Sequence, residues 1–522
     1  MMNNKIAFKY YLKIGILVLL AFAANITVSA DPIPVDVFNV RQFGAKGDGK
    51  TLDSAAINRA IEAAAKVGGG TVFFPAGNYL SGSIHLQSHI TLYLDMGSTI
   101  LGAPDGLNAY DPAEPNPYDT FQDFGHSHWH NSLIWGENLE DIAILGQGTI
   151  NGGGMSKGSR NVRVPDGNGN KSIALKLCRN VNLRDIVIAH GGHFAILLTG
   201  CDNVSIENLK IDTNRDGMDL DCCRNVRVSN CTINSPHDDA ICPKSSYALG
   251  YARATENVTV TGCMLSGYEE GSVLNGTFKV ISGNKEAGGP TGRFKCGTES
   301  NGGFKNIAVA NCVFDHCRGI ALEAVDGGDI DGVSISNVTM RNCGSSPIFI
   351  RLGARLRGPD GTAVGVARNI DINDLVVVGT SSEITSIIAG IPGHDIENVR
   401  LNNIRIVANG GGTKEQAAII PPEKAKGYPD PKNFGTIPAY GFFCRHVKNI
   451  EFHNVNLGFA ADDQRPAFVL DQVEGADFDF IKVQRAEDGL PSFQLKDVKK
   501  FSLQNSPDLE PKKGNFSEVT KF

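Results

Sequence analysis

The sequence predicts a parallel β-helix, a solenoid built from strands, and three observations predict it. A short pattern recurs along most of the chain: Asn, alternating apolar positions, a polar residue that can turn the chain, then apolar residues again. It runs from Asn180 to Ile188, Asn203 to Ile211, Asn225 to Ile233, Asn257 to Leu265 and Asn306 to Phe314, with later copies opening at Asn369, Asn398 and Asn449. The first steps are 203 − 180 = 23 and 225 − 203 = 22; later steps of 32, 49, 63, 29 and 51 read as turns of the same solenoid plus loop insertions. Finally, there are 60 glycines in 522 residues with no Gly-X-Y period, so they serve turns and not a collagen helix. Each copy holds two short period-two strands, and Asn tolerates the left-handed turn conformation between them. Stacked coils bury a continuous core that no single coil could form. A leucine-rich repeat is the weaker alternative, because its Leu frame and a helix per repeat are missing.

Taken in order, the first thirty residues read as a signal peptide (1–30). Lys5, Lys9 and Lys13 are the positive region, Ile14 to Ala24 the apolar stretch, and Val28-Ser29-Ala30 a small-residue cleavage site after Ala30. The remaining chain is then secreted or periplasmic, with no membrane insertion once the signal is removed, since no second stretch is long enough to span. The formal charge of 49 − 56 = −7 becomes −10 when those three lysines leave. An acidic chain without a Lys/Arg-rich run predicts no nucleic-acid partner.

Residues 31–522 are expected to form one β-helix domain and to act as a monomer. Near its start, Leu52 to Val67 places Ile57, Ala60, Ile61 and Ala64 on one helical face, with Asp53 as N-cap and Gly68 to Gly70 as the stop. This short helix is expected to cap the N-terminal end of the solenoid, where open strand edges would otherwise template aggregation. The run His126-Ser127-His128-Trp129-His130 is read as a loop flanking a groove, with Trp129 against a sugar, and no metal site is expected there. Gly146, Gly148 and Gly152 to Gly154 lack the strand–helix context of a nucleotide loop. Most of the 12 cysteines recur inside apolar strand patterns and are expected to be buried thiols, with Cys222/Cys223 and Cys312/Cys317 as the candidate bridges. The Asn-x-Ser/Thr sequons at Asn203 and Asn257 fall on the repeat and are read as turn residues.

The chemistry lies on the repeat. Asp216 follows Asn214-Arg215, and Asp238-Asp239 follow one repeat later, 238 − 216 = 22. In a parallel β-helix this stacks carboxylates on neighbouring coils, about 4.8 Å apart. Three acids so close cannot all ionise, so one keeps its proton beside an ionised neighbour. Arg293 and Lys295, at i and i+2, point the same way from a strand and suit a sugar carboxylate. Lys244, Glu323 and Arg351 fall on neighbouring coils as further binding candidates, with Asp326, Arg355 and Arg357 beside them. The Pro-rich insertion 410–440 is expected to wall one end of the groove.

These motifs resemble the polygalacturonase-type glycoside hydrolases of family 28, pectin-degrading right-handed parallel β-helices. The likeness rests on Asn214-Arg215-Asp216-Gly217, Asp238-Asp239-Ala240-Ile241 and Arg293-Phe294-Lys295. It also includes Phe43 to Gly49, Gly68 to Val72, Phe74 to Gly77 and Ser132 to Gly136. The family's third motif, Gly-His-Gly, is absent; the stretch Ser266 to Ser272 carries Glu269 and no histidine, and Glu269 or His237 are the candidates to replace it. The resemblance implies inverting hydrolysis of α-linked galacturonic acid in a pectic oligo- or polysaccharide, without a cofactor. Asp238 would be the general acid, Asp216 and Asp239 would hold and deprotonate water, Arg293 and Lys295 would bind the galacturonate carboxylate, and Asn214 would orient the first acid. The missing histidine favours an exo-acting galacturonidase or a rhamnogalacturonan-type enzyme. A calcium-dependent pectate-lyase-like enzyme and a non-catalytic β-helix adhesin are the competing readings.

Overall fold

A computed structural model describes residues 36–157, 163–281 and 289–522; the signal-peptide reading and its cleavage point lie outside them. Residues 37–522 form one unit, and its strands stack in parallel register coil upon coil. One apolar column shows how the repeat folds. Val181 faces Val204, then Val226, Val258, Ile307, Val333, Ile370, Val399, Ile450, Ala476 and Phe501 on successive coils. All are buried. The residue before each member has positive φ: Asn180, Asn203, Asn225, Asn257, Asn306, Asn369, Asn398 and Asn449, with Gly332, Gly475 and Lys500 filling the gaps. The Asn amides donate from coil to coil, Asn203 to Asn180, Asn225 to Asn203, Asn257 to Asn225 and Asn306 to Asn257 at 2.8–3.1 Å. The left-handed turn that Asn accepts at low cost thus also satisfies its own side chain. Asn203 and Asn257 are occupied in this ladder.

The core changes along the axis. In the early coils each strand pair is split by a bend, as in Arg179–Arg184 and Val187–Ala189. Later coils fuse the two into one strand, as in Ile330–Cys343 and Phe442–Ala461. All 12 cysteines are buried free thiols, those at positions 222, 223, 312 and 317 included. The last coils are filled instead by stacked phenylalanines, Phe442 on Phe468 and Phe468 on Phe493 with ring centroids 5.8 and 5.0 Å apart.

The helix Ser54–Lys66 buries Ala56, Ile57, Ala60, Ile61 and Ala64 against the first strands. Its expected N-cap differs. The Asp53 side chain makes no capping bond; it accepts from the backbone N–H of Lys46 and Gly47 instead, tying down the loop before the helix. At the far end the chain reverses, and Lys512–Phe516 and Thr520–Lys521 pair antiparallel to Phe493–Gln504. Among the described residues, no helix is long and apolar enough to cross a membrane.

The insertion between Ile396–Gly410 and Phe442–Ala461 is bolted to the coils by buried arginines. Arg351 donates to the carbonyls of Gly390 and Glu423, Arg445 to that of Pro421, and Arg465 to that of Ile437.

Candidate active site

The site lies on one face, where consecutive coils carry Asp216–Asp221, Ile241–Lys244, Lys295–Cys296 and Ile320–Ala324. Met218 pairs with Ile241, a step of 241 − 218 = 23. Carried back two residues, this sets Asp239, and not Asp238, over Asp216. Asp238 stands one residue earlier, on the corner that opens to the groove. One oxygen from each of Asp216, Asp238 and Asp239 lies within 4.8 Å of the others.

Their surroundings differ. Asp239 is buried and accepts from Arg293 Nε at 2.8 Å and Lys295 Nζ at 2.6 Å. Burial opposes its ionisation, but these two cations prevail and hold its carboxyl far below the usual range. Asp238 keeps 23% of its side chain exposed and pairs with Arg215 at 2.7 Å. Burial and Asp239 push its pKa up, while Arg215, Lys295 and Lys244 outweigh them and leave it lowered. Asp216 is buried, and among the described residues its Oδ1 has no hydrogen-bond partner. Burial first, then the charges of Asp238 and Asp219, raise its pKa well above that of a free carboxyl. Asp216 is therefore the member of the cluster that burial and its neighbours' charges favour in the protonated form, while Asp238 is the carboxyl that faces the groove.

A cleft of about 410 Å³ opens over these groups, lined by Asn214, Asp238, Asp239, Arg293 and Lys295. Its rim adds Arg215, His237 and Arg318, and the insertion reaches in with Tyr428, Asp430 and Lys432. Arg318 pairs with Asp430 at 3.3 Å, which fixes the insertion beside the cations. A larger groove of about 520 Å³ follows the Asn ladder, but no acid and base converge there.

Several sequence candidates fall elsewhere. Lys244 is buried behind the acids, between Asp219 at 3.4 Å and Glu299 at 3.3 Å. Glu269 is exposed, 4.0 Å from Lys279; its neighbour Glu270 turns inward instead, to His190 at 2.9 Å and Lys157 at 2.6 Å. Glu323 is fully buried on the next coil, out of a substrate's reach. Arg351 holds the insertion and lines no part of the cleft. Arg355 pairs with Asp326, and Arg357 with Asp123 at 2.8 Å and with Glu299, so neither is a solvated loop charge. Trp129 cannot meet a sugar: it is wholly buried, donates to Thr199 Oγ1 at 3.0 Å and lies under the Lys176 ammonium. The histidines around it take separate carboxylates, His126 with Asp219, His128 with Asp119 and His130 with Glu137.

The Arg293–Lys295 segment occupies the coil directly after the Asp pair, since Phe294 bridges to Ile241. No coil stands between them for a third motif; Ser266 ends the strand Met264–Ser266, and the stretch from Gly267 to Ser272 belongs to the connecting loop. Where the resemblance leads one to expect a histidine, this chain places its two cations. Arg215, Arg318 and Lys157 also line the cleft, beyond the candidates that the sequence offers. The signal for Arg215 was present, a cation next to the first acid where the related motif has Thr.

A family model described as rhamnogalacturonase A/epimerase, pectate lyase-like, matches residues 37–241. A probable polygalacturonase of Vitis vinifera is 28% identical over 51% of this chain and 58% of its own length. An exo-poly-α-D-galacturonosidase of Dickeya chrysanthemi is 28% identical over 56% of this chain and 42% of its own. The chain thus matches about half the length of these curated relatives. Among solved structures, the family 28 exopolygalacturonase of Yersinia enterocolitica superposes with a TM-score of 0.61 at 19% identity, over 87% of this chain and 78% of the other, which shows a shared fold.

Proposed function

We propose that the chain, similar over part of its length to polygalacturonases and to a pectate-lyase-like family model, hydrolyses α-linked galacturonic acid in pectic chains, acting from a chain end. One observation carries the reading: Asp238 and Asp239 line a cleft with two cations held by Asp239, and a third, buried carboxylate, Asp216, lies within 4.8 Å of both. A proton shared by Asp216 and Asp238 belongs to the pair. Asp238, at the groove, delivers it to the leaving oxygen, and buried Asp216 is its store. Arg293 and Lys295 attract the uronate carboxylate. As that carboxylate engages them, Asp239 is relieved of part of its pairing, orients the attacking water and takes its proton as the new C–O bond forms. His237, beside Asp238 on the rim, is the residue for contacting the sugar where the related enzymes use their histidine. The insertion supports exo action, because Tyr428, Asp430 and Lys432 occupy one side of the cleft. The leader-like sequence of residues 1–30 supports export of this activity from the cytoplasm.

The stereochemical course follows the resemblance, a single displacement with inversion. Inverting pairs usually keep carboxyls about 6.5–9.5 Å apart, and the nearest oxygens here are closer. The first-formed product anomer, read by proton NMR, tests this part directly; retention would overturn it. The main test is product analysis on homogalacturonan and rhamnogalacturonan oligosaccharides. Saturated galacturonate released by the wild type and not by Asp238→Asn is expected. Unsaturated, ultraviolet-absorbing and EDTA-sensitive products would instead establish a lyase, and binding without turnover an adhesin.

A further inference from the structure

Behind the two cations lies a group that the reaction does not use. Glu323, on Ile320–Ala324, is 0% exposed, and among the described residues neither of its carboxyl oxygens has a hydrogen-bond partner. Arg293 Nη2 stands 3.6 Å from it. Arg293 therefore lies between two acids, Asp239 at 2.8 Å on the groove side and Glu323 on the inner side. The other groups facing Glu323 complete the charge count. Lys295 precedes it by one coil and is spoken for by Asp239 at 2.6 Å. Cys296 follows Lys295 as a buried thiol. Arg351, its register partner on the next coil, donates to the backbone carbonyls of Gly390 and Glu423. Asp430 is turned to Arg318 at 3.3 Å.

We propose that Glu323 is a positioning residue that sets the charge available to a uronate: neutral, it leaves Arg293 and Lys295 one positive charge in excess of Asp239; ionised, it cancels that excess. This inference rests on the functional reading above and extends it, because it concerns how strongly the same cations hold a substrate carboxylate. With Glu323 neutral, two cations face one carboxylate and attract a second from solution. With Glu323 charged, the set is balanced, and an incoming uronate must compete with two buried acids. Burial, only partly offset by Lys295 and Arg293, pushes the Glu323 pKa up to about 7, so the change falls where an enzyme is readily assayed. A buried carboxyl with no hydrogen bond is costly to ionise, which is why it serves as a switch and not as a fixed counter-ion.

The experiment compares wild type with Glu323→Gln, which keeps the shape and removes the titration. KM for trigalacturonate is measured from pH 5 to 8.5, alongside a thermal melt to confirm folding. Wild-type KM is expected to rise about tenfold across this range, the scale of one charge-assisted hydrogen bond. In the variant the rise disappears and KM stays at its acid-side value. A carboxyl-reduced trisaccharide, which brings no charge, should show no such rise with either protein. If Glu323→Gln retains the wild-type rise in KM, or if the reduced substrate shows it too, the inference is overturned while the hydrolase reading stands. A variant that fails to fold is replaced by a binding titration of trigalacturonate to Asp238→Asn at pH 5.5 and 8; equal affinities overturn the inference. Wild type that cleaves no galacturonate oligomer at any pH removes the functional reading and this inference with it.

Discussion

Two faces of the same solenoid carry the same register to opposite ends. On the ladder face, coil after coil repeats one neutral residue, and Asn203, Asn225, Asn257 and Asn306 satisfy one another by side-chain hydrogen bonds. On the groove face, successive coils place Asp216, Asp239, Arg293 and Glu323 in proximity, each unlike its neighbour in charge or protonation. Identity stacked on identity gives a structural ladder whose members are interchangeable. Difference stacked on difference gives charges that bias one another, which is what acid–base chemistry requires. A solenoid therefore needs no special fold element for a site; it needs a break in its own repetition.

Substitutions on the groove face should break this contrast most sharply. Asp238→Asn is expected to lower kcat by about 10²–10⁴-fold, the usual contribution of a general acid, with circular dichroism and melting essentially unchanged. The pH profile of kcat should be bell-shaped, since the Asp216–Asp238 pair works with one shared proton. Activity is lost as pH rises through the raised titration of Asp216, when the pair has no proton left to deliver, and lost again only at the low pH that protonates Asp239, whose carboxyl its two cations hold far below the usual range; a profile with no fall on the alkaline side would refute the pairing. Next in size, Lys295→Met leaves Asp239 with one cation. Loss of half a buried ion pair costs about 3–5 kcal/mol, so urea unfolding should shift markedly while KM rises for uronate substrates.

Smaller effects are expected away from the acids. The double variant Tyr428→Ala/Lys432→Ala removes insertion side chains from the cleft and leaves the Arg318–Asp430 pair in place. Its products on homogalacturonan should shift from monomer towards mixed oligomers, and an unchanged profile would count against exo control by the insertion. On the ladder face, Asn225→Ala puts an alanine into a left-handed turn and removes two side-chain hydrogen bonds, one donated to Asn203 and one accepted from Asn257. The strain of that turn is about 1–2 kcal/mol, so melting should fall by a few degrees with kcat/KM untouched. A large loss of activity there would mean that the two faces are not independent.

The fold was legible because its signal is local. A left-handed Asn at each corner and alternating apolar residues after it recur with little dependence on what packs above or below. The acids were legible for the same reason, but their register was misjudged by one residue. The spacing of 22 holds along Lys210 and Thr232, whereas the corner from Ser235 to Ala240 carries one residue more, and that extra residue turns Asp238 towards the groove. Trp129, Arg351 and Glu269 were misplaced because exposure at such positions is chosen by tertiary packing: Trp129 found Thr199, Arg351 found the carbonyls of Gly390 and Glu423, and Glu270 took the inward place. Glu323 was visible as an acid on a later coil, but nothing local shows that its oxygens lack partners.

The reversed strands at the C-terminal end have a consequence of another kind. Every coil before them offers the next a parallel row of unpaired backbone groups, the arrangement from which filaments grow without limit. Because Lys512–Phe516 and Thr520–Lys521 run the opposite way, a second molecule arriving there meets a mismatched polarity and cannot continue the spiral. Growth in one dimension, which lets the chain add coils freely, is closed off at this edge, and removing Lys512–Phe516 and Thr520–Lys521 is expected to increase self-association, read by sedimentation velocity.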